Sequence, residues 1–215
     1  MNPQLHLSTG YRRFSKMIQS GAVFCAFDTE TTGLNPDMER IIEIGAVKFN
    51  KDGILDTYSV LINPQKPLPQ ISIELCHITD EMLEGKPVFF EAADSFLQFI
   101  NGTVLLAHNA QFDLRFVNAE LARLNRPPLK QLAIDTLRFA RTVFPKPQTT
   151  SWKLGSLAEK LNIEVKEAHR AQDDARVCME VFLKCVKEYD RIKGRKKFIP
   201  SEPLQGQLDF HSGTP

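Results

Sequence analysis

Val23-Phe24-Cys25-Ala26-Phe27-Asp28-Thr29-Glu30-Thr31-Thr32-Gly33 begins as five apolar residues and ends in two acids and a turn. The apolar run predicts a short buried strand. Thr31-Thr32-Gly33 with Asn35-Pro36 breaks it, which puts Asp28 at the strand's C-terminal end. Asp28 and Glu30 are two residues apart, so on extended backbone they point to one side and can share a cation. An acidic pair of this kind is often only a solvated strand end. Here it terminates a buried element, which favours a functional reading.

Working outward, residues 41–49 and 54–62 are two further β-rich runs joined around Lys51-Asp52-Gly53, a hairpin turn. Together the three segments predict a meander. A proline-rich crossing (Pro64, Pro67, Pro69) follows, and then Thr79 is placed to cap a short helix. A second helix is predicted over 91–100, ending near Gly102. Val104-Leu105-Leu106-Ala107 reads as a strand running into His108-Asn109, and Leu114, Val117, Leu121 and Leu124 recur at helical spacing until Pro127-Pro128. Asp113 therefore opens a helix. A brief strand at Ala133-Ile134, helices over 136–144 and 154–161, and a loop over 145–151 come next. The last helix carries Ala171, Ala175, Cys178, Phe182, Cys185 and Tyr189 as one stripe. Strands first, then strands alternating with helices, predict an α/β fold: a mixed sheet with helices packed on it. In such sheets, strand ends and helix starts collect along one edge.

A chain of 215 residues with 42% hydrophobic content is long enough for one well-cored domain and too short for two ordinary ones. Its 27 basic and 26 acidic residues nearly cancel, so any nucleic-acid binding must arise from local charge or bound metal. Cys25, Cys76, Cys178 and Cys185 form no C-x-x-C pair and sit among apolar residues, as buried free thiols in a reducing cytosol do. No signal peptide and no apolar run of membrane-spanning length is present, so a cytoplasmic location without membrane association is expected.

The third carboxylate is chosen by helical phase. At about 100° per residue, Asp174 lies on the shoulder of the Ala171, Ala175, Cys178 stripe, and Asp173 is expected to face water. A carboxylate turned toward a core needs a partner, and a divalent metal is the natural one. Oxygen donors with one nearby histidine favour Mg²⁺ or Mn²⁺ over zinc. Two such ions, about 3.5 to 4 Å apart, activate water and stabilise the leaving oxygen of an in-line displacement at phosphorus. His169, of a residue type that titrates near neutrality, is then the general base.

At these residues the chain resembles the DEDDh 3′→5′ exonucleases. Asp28-Thr29-Glu30-Thr31-Thr32-Gly33 matches the first family motif and His108-Asn109-Ala110-Gln111-Phe112-Asp113 the second. His169-Arg170-Ala171-Gln172-Asp173-Asp174-Ala175 matches the third, with its H-x₄-D spacing. The resemblance covers about residues 21–190, read as the exonuclease domain, between an N-terminal extension (1–20) and a mobile tail (191–215). It implies a ribonuclease H-like fold with a five-stranded mixed sheet. It also implies two ions held by Asp28, Glu30 and Asp174, support from Asp113, and His169 as base. Thr31, Gly33, His108 and Asn109 are the expected substrate-side residues, although each could equally be structural. The implied substrate is a DNA 3′ end, single-stranded or frayed, in proofreading or repair, with a polymerase catalytic subunit as a further partner. Thr31 stands where the oligoribonuclease branch usually has methionine, which tilts the choice from RNA to DNA. The rivals are an RNA-directed exoribonuclease and a catalytically silent tethering module.

In the tail, Gln205-Gly206-Gln207-Leu208-Asp209-Phe210 resembles the Q-x-x-L-x-F clamp-binding motif. Gln205, Leu208 and Phe210 would dock on a sliding clamp, with the two apolar residues as anchors. The basic cluster at 193–197 is most simply a solubilising helix end.

Overall fold

The computed structural model describes residues 10–193, so the clamp-like segment with Gln205, Leu208 and Phe210 lies outside the described residues. A 3₁₀ turn (Tyr11–Arg13) leads into α1 (Phe14–Gln19). The strands β1 (Phe24–Thr31), β2 (Ile41–Asn50) and β3 (Gly53–Leu61) follow, then α2 (Gln70–Cys76), α3 (Asp80–Leu83) and α4 (Phe89–Ile100). The second half alternates: β4 (Val104–Ala107), α5 (Ala110–Arg123), β5 (Ala133–Asp135), α6 (Thr136–Val143), α7 (Leu154–Lys160) and α8 (Ala171–Ile192).

The sheet order is β3-β2-β1-β4-β5. The first three strands are the expected antiparallel meander, and β4 and β5 join in parallel. This is the ribonuclease H-like arrangement. Interior strand β2 is buried along most of its length because helices cover both faces, whereas edge strand β3 is open along one side. One core lies under α8, where Phe24, Val47 and Phe49 meet Phe182; the other lies under α4 and α5, around Phe27, Phe96 and Phe116. All four cysteines are buried free thiols. Among the described residues no helix is long and apolar enough to cross a membrane.

Residues 11–20, part of the expected N-terminal extension (1–20), pack onto the domain: Phe14 and Ile18 are buried in the first core, and Tyr11 stacks on Phe139 at 4.8 Å. The stretch before Thr79 contains α2, which had no counterpart in the sequence reading. Its apolar residues Ile71, Ile73 and Leu75 alternate with polar ones and so lack a helical stripe.

The closest backbone approach that bears on the site is at Gly45. A Cβ there would stand 2.1 Å from the Ala171 carbonyl carbon and 2.1 Å from the Gln172 nitrogen. Only glycine lets the first turn of α8 lie directly on β2. Gly45 pairs with Asp28 across the β1–β2 ladder, so this contact also fixes how near α8 comes to the acidic end of β1. Gly45→Ala should destabilise the fold by about 1–3 kcal/mol or more, measured by urea denaturation; unchanged stability would mean that α8 shifts freely.

Candidate active site

β1 continues through Thr31, so Asp28 is inside the strand rather than at its last residue. In the ladder Asp28 faces Gly45 and Glu30 faces Glu43, which places both acids on the side of the sheet that carries α8. Thr29 points the other way. β4 pairs only with Phe24, Cys25 and Ala26, leaving the later part of that β1 edge without a ladder partner. Asp113, in the first turn of α5, fills the gap. One of its oxygens accepts from the Thr29 N–H at 3.1 Å and from the Thr29 hydroxyl at 2.9 Å. Asp113 is thus buried behind β1 and bonded to the residue between the two motif acids.

The first turn of α8 supplies Asp174, and the residue two before the helix is His169, exposed and with a left-handed φ of 61°. Ligand atoms of Glu30, His169 and Asp174 lie within 4.8 Å of one another. Asp28 flanks this trio and is close enough for Asp113, Asp174 and Glu30 all to act on its charge. Asp173 does not face water as expected. Its carboxylate pairs with Arg176 at 2.7 Å and accepts from the Lys166 and Glu167 N–H groups at 2.7 and 2.9 Å. Helical phase described the helix alone, and the loop before α8 folds back over its outer face.

The substrate-side residues divide. Thr31 donates to the Gly33 carbonyl at 2.7 Å and closes the turn that leaves β1. Arg123 and Glu120 of α5 hold the far end of this loop, through the Asp37 and Glu39 carbonyls and the Ile41 N–H. Asn109 is exposed at a φ of 77°, a left-handed position that asparagine tolerates. His108, expected on the substrate side, is instead turned into the protein. Its Nε2 lies 2.8 Å from the Trp152 carbonyl and its Nδ1 lies 2.9 Å from the Thr136 hydroxyl. A carbonyl only accepts, so Nε2 carries a proton and donates to Trp152. Burial depresses the His108 pKa, against the opposing pull of the Trp152 carbonyl and Asp135. His108 therefore ties the loop bearing Trp152 to the end of β4.

Two acids at the site escaped the sequence reading. Asp135, buried at the end of β5, caps α6 through the Leu137 and Arg138 N–H groups and also accepts from the Asn109 N–H. Glu43 is buried in β2 and bonded to Arg170 and the start of α8. A charged residue inside Ile41-Ile42-Glu43-Ile44 was itself the signal, since burial there demands a partner.

A model of the exonuclease family matches residues 25–182. The DNA polymerase III subunit epsilon of Treponema pallidum (strain Nichols) is 45% identical over 177 residues, covering 82% of this chain and 82% of that protein. The chain belongs to the exonuclease family. The PolC-type DNA polymerase III of Thermotoga maritima is 38% identical over 194 residues, and this exonuclease spans 90% of its own length but only 14% of that protein. Among solved structures, Escherichia coli exonuclease I in complex with a dT13 oligonucleotide has a TM-score of 0.69 at 18% identity, covering 80% of this chain and 43% of that one. Exonuclease X in complex with 5′-overhanging duplex DNA has a TM-score of 0.61 at 23% identity, covering 81% and 95%. At these identities the two structures establish the fold.

Charge dominates the exonuclease's site. Burial, then Asp113, Asp174, Glu30 and Glu43, hold the Asp28 carboxyl well above its usual range. Burial, then Asp174, Glu43 and Asp113, push Glu30 up to about 8 against the pull of Arg170. Burial raises Asp113 to about 7 despite the Thr29 hydrogen bonds. Burial raises Asp174 to about 6, with His169 opposing the shift. Asp28, Glu30 and Asp174, three carboxylates that resist ionising together, fit a hard divalent cation, whose charge would remove the repulsion. Asp174→Asn should therefore abolish hydrolysis while preserving or raising metal-free stability. Asp173→Asn should lower stability by about 1–3 kcal/mol through loss of its charged contacts. Activity assays and denaturation of both variants check this, and equal loss of activity with unchanged folding in both would contradict the division of roles.

Proposed function

We propose that this exonuclease removes nucleoside 5′-monophosphates from DNA 3′ ends, single-stranded or frayed, in replication proofreading or repair. The observation that carries the reading is the packing of Glu30, His169 and Asp174 within 4.8 Å, beside Asp28 and Asp113. Asp28, Glu30 and Asp174 would hold two Mg²⁺ or Mn²⁺ ions. When bound, the ions supply positive charge that favours ionised water and the leaving oxygen of an in-line displacement.

The chain's own residues do the rest. His169, exposed at the mouth of the site, takes at a ring nitrogen the proton of the water whose oxygen bonds to phosphorus, while the bond from phosphorus to the 3′ oxygen of the preceding nucleotide breaks; that oxygen takes up a proton and the phosphate leaves on the terminal nucleotide. Asp113 keeps the Asp28-Thr29-Glu30 backbone in place through its two bonds to Thr29. Thr31, Gly33 and Asn109 border the terminal nucleotide. Leu34, 84% exposed directly after Gly33, offers an apolar surface for a base beside an acidic centre that attracts only through metal. The polymerase names of the relatives support DNA as the substrate, a polymerase catalytic subunit as partner and the cytoplasm as location. The clamp-like Gln205, Leu208 and Phe210 support a sliding clamp as a second partner.

The test is digestion of end-labelled DNA with single-stranded, paired and mispaired 3′ termini, alongside matched RNA. Release of 5′-mononucleotides from the 3′ end, dependent on Mg²⁺ or Mn²⁺ and faster on DNA, is expected. His169→Ala should lower the rate about 10²- to 10⁴-fold, and Asp28→Ala should abolish it without unfolding the protein. Faster digestion of RNA, or turnover in EDTA, would overturn the assignment.

A further inference from the structure

Glu43 is 1% exposed in the middle of an apolar strand, and the chemistry proposed above does not use it. Arg170 Nη2 donates to its Oε1 at 2.9 Å, and Nε lies 3.3 Å from each carboxylate oxygen. The Ala171 N–H, the first of α8, donates to Oε2 at 3.0 Å. Both oxygens are thereby engaged by the two residues that follow His169. Glu43 is also the cross-strand partner of Glu30, so the β1–β2 ladder fixes its place relative to one of the metal-binding acids. The bonds that secure the start of α8 to the sheet and the register that places Glu30 meet in this one side chain.

We propose that Glu43 is a positioning residue for the reaction, holding His169 and the Asp174-bearing first turn of α8 in register with Glu30 through Arg170 and the Ala171 N–H. The inference rests on the roles given above to His169 and Asp174. Arg170 is covalently between His169 and Ala171, so slack at its guanidinium reaches the turn on one side and the helix on the other. His169 keeps a left-handed backbone that its neighbours must maintain. Gly45 allows the approach of α8 to β2, and Glu43 fixes where along β2 the helix starts.

Charge makes the two partners unequal. Arg170 is 32% exposed along its side chain and remains hydrated if Glu43 loses its charge. Glu43, without Arg170, becomes another unpaired buried anion beside Asp28, Glu30 and Asp174. Removing the cation alone therefore does more harm than removing the pair.

The experiment compares E43Q, R170Q and the double variant in the full chain. Hydrolysis of a single-stranded DNA oligonucleotide at saturating Mn²⁺ is followed together with amide hydrogen exchange of residues 166–176 in metal-free protein. E43Q, nearly isosteric with the native residue, should lower kcat about ten- to hundredfold with KM within about twofold, and should speed exchange in that segment. R170Q should be slower still, and the double variant should recover to the E43Q level. Should R170Q fail to fold, E43Q and the double variant carry the test. Native kcat in E43Q, unchanged exchange, or losses that multiply in the double variant would overturn the inference. A native protein without hydrolysis would overturn the function proposed above instead, and exchange alone would then decide whether Glu43 holds the turn.

Discussion

The burial of Asp28, Glu30, Asp113 and Asp174 side by side, with the repulsion that Asp28 and Glu30 feel from the others, is the constraint around which this fold is arranged. They come from one strand and two helix starts, and Asp113 and Asp174 raise the cost of ionising both Asp28 and Glu30. An isolated carboxylate in such a place would turn to solvent or neutralise itself. Here the backbone withholds that freedom. Asp28 and Glu30 are fixed by the β1–β2 ladder, Asp113 by Thr29, and Asp174 by an α-helix pressed onto β2. The rigid frame keeps the acids together, and a divalent cation held there, as proposed above, would supply the missing charge, so ion binding and the proposed activity would share one cause.

The frame is asymmetric in how it achieves this. On the β4 side, the early end of β4 leaves backbone groups of β1 unpaired, and an acid fills the space by bonding to them. On the β2 side, close packing does the same work: a residue without Cβ admits the start of α8, and the buried Glu43–Arg170 pair fixes its position. His169 sits between these anchored elements and solvent, a placement that suits the proton transfer proposed for it.

Much of this was legible in the sequence. The apolar run into Asp28-Thr29-Glu30, the hairpin at Lys51-Asp52-Gly53 and the Thr79 cap all have local causes, and the structure has each of them. What failed depended on contacts or patterns that the periodicity of a single element does not show. Asp173 was assigned to water because periodicity shows a helix's own faces and not the loop folded over them. For His108 the sequence leaves substrate contact and a structural role open, because a motif names a residue without giving its direction, which Trp152 and Thr136 determine. Alternating Ile71, Ile73 and Leu75 concealed α2. Tyr11, Phe14 and Ile18 recur at helical spacing, and that local signal corresponds to the packed N-terminal turn and helix.

Thermal melting of the metal-free protein across pH, repeated with saturating Mn²⁺, tests the central claim most directly. The raised carboxyls keep protons in the folded chain that they lose near pH 4 when unfolded, up to about 6 for Asp174 and about 8 for Glu30. The folded state then binds more protons, so stability falls as pH rises through that window. The metal-free melting temperature should therefore drop between about pH 5 and about pH 8, and Mn²⁺ should abolish most of the drop. A metal-free melting temperature that stays level or rises over this range, with no added stabilisation by Mn²⁺ at the upper end, would contradict the account.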